Sequence, residues 1–367
     1  MINKTLALIA LSFLISGCTQ LTNLPSGASS SGASSSTAVG DQDTAPDNTD
    51  SSAIRRQVIT VGVTEESGSE LSTILLDSDM PSSTDEDSAV DLSGKPENTA
   101  AEDLQIAQLE AQQRSVRALC REIGNKLGSV TVDDCLAQSL VFGGAYTVQS
   151  RPIAVRDFLP ESSSEDKPKI LIMGGIHGDE YSSISIMFKW MEQLESSNNR
   201  NFHWRFAPSV NPDGLLDGQA VRQNANGVDL NRNFPSDDWL DLAQEYWANT
   251  TSRNPRRFPG SHPASEPEVQ WVVEQINSYK PDVIVSVHAP YHLLDYDGPP
   301  EPPERIGELH LHLLGVYPGS LGNYAGLNLG IPVVTMELPS AGIMPADEQI
   351  TKMWNDLLKW LYEHHES

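Results

Sequence analysis

A chain of 367 residues with 50 Asp and Glu against 24 Lys and Arg carries a net charge of −26. That balance excludes a protein built to hold nucleic acid, because phosphate backbones are gripped by basic patches. The charge is also unevenly spread: residues 41 to 103 hold sixteen acidic residues against Arg55, Arg56 and Lys95, half of the whole excess in one low-complexity stretch.

In chain order, the first element is a targeting segment. Lys4 precedes an apolar run from Leu6 to Ile15, and Leu14-Ile15-Ser16-Gly17-Cys18 closes it with two small residues before a cysteine. The run is too short to span a bilayer comfortably, and the ending is that of a lipoprotein signal peptide over residues 1–17, with Cys18 lipidated. An unlipidated signal peptide or a short anchor helix is the alternative. Thr19, where an Asp would retain the protein inside, implies the outer membrane, so the expected location is periplasmic and lipid-anchored. Residues 18–100 follow as an acidic tether rich in Ser, Thr, Gly, Asp and Pro, too poor in apolar groups to offset its conformational entropy and therefore expected to be disordered. Within it, Val58 to Val63 alternates like a strand.

From Ala101 the pattern turns helical, with Leu104, Ile106, Leu109, Val116, Leu119 and Ile123. Cys120 and Cys135 complete the three cysteines, and in an exported chain such a pair reads as a disulfide contributing roughly 3 kcal/mol. Two buried thiols are the alternative. This helix, the pair and Val130 to Leu140 are expected to form a cap over residues 101–140, followed by the main domain, 141–367. There, Ala145 to Ser150 and Pro152 to Phe158 alternate like a hairpin. Strands are expected at Lys169 to Ile176, His203 to Val210, Asp282 to Val287 and Val333 to Leu338. Helices are expected at Asp179 to Leu194, Glu266 to Tyr279 and Ala346 to His365, the second opening on a capping-box pattern, Ser265-Glu266-Pro267-Glu268. The alternation predicts a three-layer α/β/α domain with a mostly parallel mixed central sheet, whose ligands bind beyond the carboxyl ends of the strands.

Chemistry enters at that edge. The apolar run Ile170 to Met173 reads as a buried strand, Gly174-Gly175 turns the chain, and His177 and Glu180 follow three residues apart at a helix start. Residues so spaced share a face, so an imidazole and a carboxylate can reach one metal ion. Taken alone, the stretch reads as an ordinary strand-turn-helix with a surface histidine and an acidic first turn, because a bare pair so spaced is a weak signal. A second buried strand ends in Ser286-Val287-His288, and His288 at the same edge would supply a third ligand, leaving the fourth position for water. His292, His310 and His312 end no buried strand and read as surface residues. Arg222, Asn231 and Arg232 put guanidinium and amide donors on an irregular loop, suited to a carboxylate or an oxyanion, or else simply exposed turn chemistry. Glu337 lies in a strand otherwise suited to burial, as a base with a raised pKa or as half of a structural ion pair.

In this order, these stretches resemble the zinc carboxypeptidase family, the carboxypeptidase A-like metallopeptidases, and within it the murein peptide amidase branch. The resemblance covers roughly residues 140 to 365. It implies one zinc ion on His177, Glu180 and His288, with Asn231-Arg232, in Gly227-Val228-Asp229-Leu230-Asn231-Arg232-Asn233-Phe234, as the clamp for the substrate's terminal carboxylate. It further implies Arg222 as the arginine that polarises the scissile carbonyl and Glu337 as the general base. Animal digestive members also close a tyrosine over the substrate; Tyr317 and Tyr324 are the candidates. The expected function is hydrolysis of peptidoglycan stem peptides at the γ-D-glutamyl–meso-diaminopimelate bond, by a monomer. Zinc carboxypeptidase action on other peptides or N-acyl amino acids, and a non-catalytic murein-binding lipoprotein, are the rivals.

Overall fold

The computed structural model describes residues 100–160, 167–197 and 201–365. The signal segment, Cys18, the tether up to residue 99 and the Val58–Val63 strand lie outside them. Ala100–Lys126 form α1 and Val132–Ala137 form α2. Only the second half of α1 meets a core, through Val116, Leu119, Cys120 and Ile123; Leu104 and Leu109 in its first half are exposed. A disulfide joins the buried Cys120 and Cys135 and ties α2 to α1, their Cα atoms 5.4 Å apart.

Val141–Tyr146 (β1) and Pro152–Phe158 (β2) pair antiparallel. The first strand of this hairpin therefore precedes the expected Ala145–Ser150, whose latter half is the turn, closed by Ser150 N–H donating to Thr147 O. Ser150 takes φ of +62° there, which a strand residue does not adopt. Then come β3 (Lys169–Met173), α3 (Tyr181–Ser196), β4 (His203–Ala207), α4 (Pro212–Leu216), α5 (Gln244–Asn249), α6 (Pro267–Ser278), β5 (Val283–His288), β6 (Leu293–Asp297), a small hairpin of β7 (Arg305–Ile306) and β8 (Leu309–His310), β9 (Val333–Glu337) and α7 (Asp347–His365). α6 starts on Pro267 at its first position, but no side chain caps it; the Ser265 hydroxyl donates instead to the Glu266 carboxylate, so the expected capping box is not formed.

Seven strands form one sheet in the order β1-β2-β4-β3-β5-β9-β6. β4, β3, β5 and β9 run parallel at its centre, and antiparallel pairs finish both sides. Alternation along β3 sends Ile170 and Ile172 to a core shared with α1, α3 and α7, while Leu171 and Met173 face a second core under α6. The first core is rich in aromatics, with Trp204 and Trp354 ring centres 5.0 Å apart. This is the three-layer α/β/α arrangement. β6 escapes a reading of apolar runs, since Asp295 and Asp297 depress strand propensity; its pairing with β9 and a bridge from Leu294 to Leu311 hold it extended. Register then fixes the working edge: Met173 lies opposite Ser286, and His288 opposite Glu337.

Candidate active site

His177 and Glu180 sit in the turn between β3 and α3, with Glu180 at the cap position rather than inside the first helical turn. The turn is drawn tight because Gly178 packs on the backbone of Gly214 and Leu215, where a Cβ would collide. Even so, the two side chains converge: His177 Nδ1 is 2.8 Å from Glu180 Oε1. His288, at the end of β5, brings its Nδ1 to 3.1 Å from Glu180 Oε2 and 3.1 Å from His177 Nδ1. All three side chains are buried, and among the described residues they are the group of three able to hold a metal ion.

The donor chemistry fits zinc. Asp229, an acceptor only, takes the ring proton of neutral His177 at Nε2, which leaves the Nδ1 lone pair facing the Glu180 carboxylate, and one cation accepts both. The electrostatics agree. Burial opposes ionisation of Glu180, yet His177 and His288 outweigh it and hold the carboxyl far below its ordinary value. Burial likewise opposes a charged His288, and Glu180 overcomes it, drawing the imidazole toward the cationic form. The cluster is built to surround positive charge.

The far sides of both rings are anchored. His177 Nε2 lies 3.1 Å from Asp229 Oδ1, and His288 Nε2 lies 3.1 Å from Ser286 Oγ. Such outer partners fix tautomer and ring orientation. Asp229, fully buried, does more: it accepts from Arg222 Nε at 2.9 Å and from the Asn231 backbone N–H at 3.2 Å. Burial alone would neutralise it, but Arg222 foremost and His177 keep its carboxyl well below the usual range. Neither Asp229 nor Ser286 stands out in the sequence by periodicity; the available signal was their position beside assigned residues.

Apart from one 3-10 turn at Leu230–Arg232, capped by Asp229, the loop from Arg222 to Asn233 is irregular, and buried side chains help to hold it. Asn224 Oδ1 accepts from the N–H groups of Asn226 and Val228, and its amide bridges the Glu266 and Glu268 carboxylates. The Asn233 amide donates to Pro259 O and His262 O, and Trp239 Nε1 donates to Arg232 O. Across the cavity mouth, Gly319 lets the chain pass directly over Arg232 O, where any Cβ would clash.

The resulting cavity, about 290 Å³, is lined by His177, His288, Arg222, Asn231, Arg232 and Glu337 together with residues of β6 and the 312–322 segment. Arg222 is salt-bridged to Asp229 and has Nη1 3.6 Å from Glu180 Oε1. Asn231 accepts from Leu321 N–H through Oδ1, which turns its amide donors away from that contact. Arg232 spends one N–H on Asn231 O, and its buried Nε has no partner among the described residues. Burial first, and then Arg222 and Arg257, lower its pKa, so an anion placed there would relieve it. Glu337 is 6% exposed; it accepts a long bond from Tyr291 N–H at 3.4 Å, and burial raises its carboxyl. Tyr317 lines the cavity with its ring 4.2 Å from the Arg232 guanidinium, whereas Tyr324 is buried against Phe234 and does not line it. Exposed Tyr291 also reaches the mouth. Of the other histidines, His292 and His310 are exposed away from the cavity, and His312 is exposed at its rim.

The description of the zinc carboxypeptidase family matches residues 139–310. Murein peptide amidase A of Escherichia coli K12 is 34% identical over 197 residues, 52% of this chain and 79% of that protein. Among solved structures, the murein-tripeptide amidase of Escherichia coli O157 aligns over 62% of this chain and 93% of its own, at 26% identity and a TM-score of 0.46. The carboxypeptidase A of Helicoverpa armigera aligns over 73% and 82%, at 17% identity and a TM-score of 0.51, a likeness of fold.

Proposed function

The chain belongs to the zinc carboxypeptidase family, and from that premise we propose that it removes the C-terminal residue of peptidoglycan stem peptides. It is a metallopeptidase hydrolase by family, and the relative whose name specifies murein peptides supports the substrate class. The proposed bond joins γ-D-glutamate to meso-diaminopimelate in murein tripeptide. The observation that carries this reading is a single cavity lined by His177 and His288 of the three-donor group, by the buried carboxylate of Glu337 and by Arg222, Asn231 and Arg232.

One zinc ion held by His177, Glu180 and His288 would lower the pKa of water and polarise the scissile carbonyl. Glu337 then acts as general base: it takes the proton of the attacking water and passes it to the departing amine as the C–N bond breaks. Its raised pKa suits both halves of that task. Arg222, clamped by Asp229, donates to the oxyanion that develops on the carbonyl oxygen. Arg232 and the Asn231 amide hold the terminal carboxylate of the leaving residue, and Tyr317 covers that site. We place the enzyme in the periplasm as a monomer, tethered to the outer membrane through lipidated Cys18, where its polymer is.

Incubation of the purified protein with murein tripeptide tests the reading. Free diaminopimelate should accumulate in zinc-replete buffer and stop on addition of a chelator. Cleavage confined to a panel of α-linked peptides, with the tripeptide left intact, would move the substrate to ordinary peptides.

A further inference from the structure

Asp229 divides its two oxygens between two sets of partners. Oδ1 lies 3.1 Å from the metal ligand His177 at Nε2 and accepts from the Asn231 N–H at 3.2 Å. Oδ2 faces arginines, with Arg222 Nε at 2.9 Å and Arg257 Nη1 at 3.8 Å. Arg222 donates to the developing oxyanion, and Arg257 has no part in the chemistry so far. Its guanidinium nevertheless lines the same cavity. The long pair with Asp229 is its one ion pair among the described residues, and its side chain donates no hydrogen bond to any of them.

The place of Arg257 is fixed by its surroundings. Pro255–Arg257 form one 3-10 turn, whose cap Asn254 accepts from the Arg256 N–H at 3.0 Å. Gln223 Nε2 donates to Pro255 O at 3.1 Å, and the Asp229 N–H donates to Phe258 O at 2.8 Å. Both ends of the turn are thus stitched to the loop that carries Arg222. Arg256, half exposed, pairs at 2.6 Å with Asp179, the residue before Glu180, and so serves the metal-binding turn. Arg257 turns into the cavity instead, with 28% of its side chain open to solvent and therefore to a ligand. Arg222, Arg232 and Arg257 stand around the one carboxylate of Asp229. A terminal carboxylate at Arg232 offsets one of these charges, and the wall remains cationic at Arg257.

The proposed substrate carries a second anion. In a γ-linked glutamyl residue the scissile carbonyl belongs to the side chain, so the α-carboxylate stays free, ~5 Å from the scissile carbon when the chain is extended. An α-linked residue has no carboxylate in that place. Resting on the reading above, we infer that Arg257 binds the free α-carboxylate of the γ-linked residue on the acyl side of the scissile bond. Arg222 and Arg257 reach the same oxygen of Asp229, so one residue can span them, its carbonyl oxygen at Arg222 and its carboxylate at Arg257. The clamp at Asn231 and Arg232 is filled by the leaving residue, which reserves Arg257 for the other side of the bond. A guanidinium with free N–H groups takes a carboxylate in a forked pair, and a neutral amide in its place forfeits that pair.

Binding of the acyl-side product separates this inference from the hydrolytic reading. L-Alanyl-D-glutamate and L-alanyl-D-isoglutamine share the γ-carboxylate that hydrolysis generates; the first has a carboxylate at the α-position and the second a carboxamide. In calorimetry on the zinc-loaded protein the first should bind at least ~10-fold more tightly. Arg257→Gln should bring the two to within about twofold by weakening the glutamate peptide and sparing the isoglutamine peptide. Arg257→Lys, a point charge without the fork, should keep part of the preference. Arg256→Gln, which removes only the pair with Asp179, should keep all of it. Equal binding of the two dipeptides to the unaltered protein, or binding of neither, overturns the inference even if murein tripeptide is cleaved. So does an undiminished preference in folded Arg257→Gln or, should that variant fail to fold, in Arg257→Lys. A preference lost as fully in Arg256→Gln also overturns it, because the turn and not the Arg257 guanidinium would then be responsible. A protein that prefers the carboxylate but cleaves neither tripeptide nor any peptide keeps the Arg257 site and loses the proposed reaction.

Discussion

The two halves of the cavity are held in place by different physics. His288 and Glu337 end neighbouring parallel strands, and hydrogen-bond register alone sets them opposite each other. Arg222, Asn231 and Arg232 stand on a loop that no backbone ladder supports; Asp229, Asn224 and Asn233 hold it through buried side-chain hydrogen bonds. Strand-borne groups inherit the rigidity of the core, with Ile170 to Met173 and Val283 to Val285 entirely buried beside them. Loop-borne groups depend on a few polar contacts, each costly to leave unmet. Losing a strand-borne ligand should therefore remove chemistry and spare the fold, while losing a loop anchor should disturb several functions by lesser amounts.

The largest expected effect is at the metal donors. His177→Ala or Glu180→Ala should abolish zinc retention and all hydrolysis, with far-ultraviolet circular dichroism close to that of the unaltered protein. Both residues occupy a turn and contribute little to either hydrophobic core. Metal analysis after dialysis checks it, and a variant that kept both zinc and activity would overturn the assignment. Glu337→Gln sharpens the contrast from the end of a strand: zinc should stay bound while kcat falls by roughly 10²–10⁴-fold.

Asp229→Ala comes next. It leaves His177 Nε2 without its anchor and Arg222 without its carboxylate, so zinc affinity should fall by about 10–100-fold. KM should rise as well, because the Asn231 N–H loses its acceptor and the clamp loosens. A competition titration against a chromophoric chelator measures the first effect and steady-state kinetics the second. If only the metal affinity moved, Asp229 would serve the ligand and not the loop.

Legibility in the sequence follows the same division. Apolar runs bounded by glycine and proline announced β3, β5 and β9, and a histidine or carboxylate at the end of such a run is conspicuous against its surroundings. The loop was readable only through its resemblance to a known family, because Asn-Arg-Asn on an irregular segment is also plain turn chemistry. Asp229 was passed over although it stands two residues before Asn231: burial is what makes it matter, and burial in a loop has no period. Asp295 and Asp297 were missed for the opposite reason. They do alternate, in Leu-Leu-Asp-Tyr-Asp, but two acidic residues disguise a strand whose polar side faces a cavity instead of solvent. The hairpin before β2 was misplaced by four residues, since Val141 to Gly144 carries glycines and partial exposure where a strand pattern expects clean alternation.

The smallest expected effect lies on β6, and it has the opposite sign to the others. Asp297 has a folded-state pKa of about 6, above the ~3.9 of an unfolded aspartate. Between those values the folded protein holds a proton that the unfolded chain has released, so stability falls as pH rises from about 4 to about 6 and stays lower above that. Two pH units correspond to about 2.7 kcal/mol, and water in the cavity reduces this to something on the order of 1 kcal/mol. Asp297→Asn, which keeps the shape and removes the charge, should therefore raise Tm by a few degrees at pH 7.5 and leave it unchanged near pH 4. A variant that melted at the same temperature as the unaltered protein at both pH values would mean that Asp297 is solvated and bears no strain from burial.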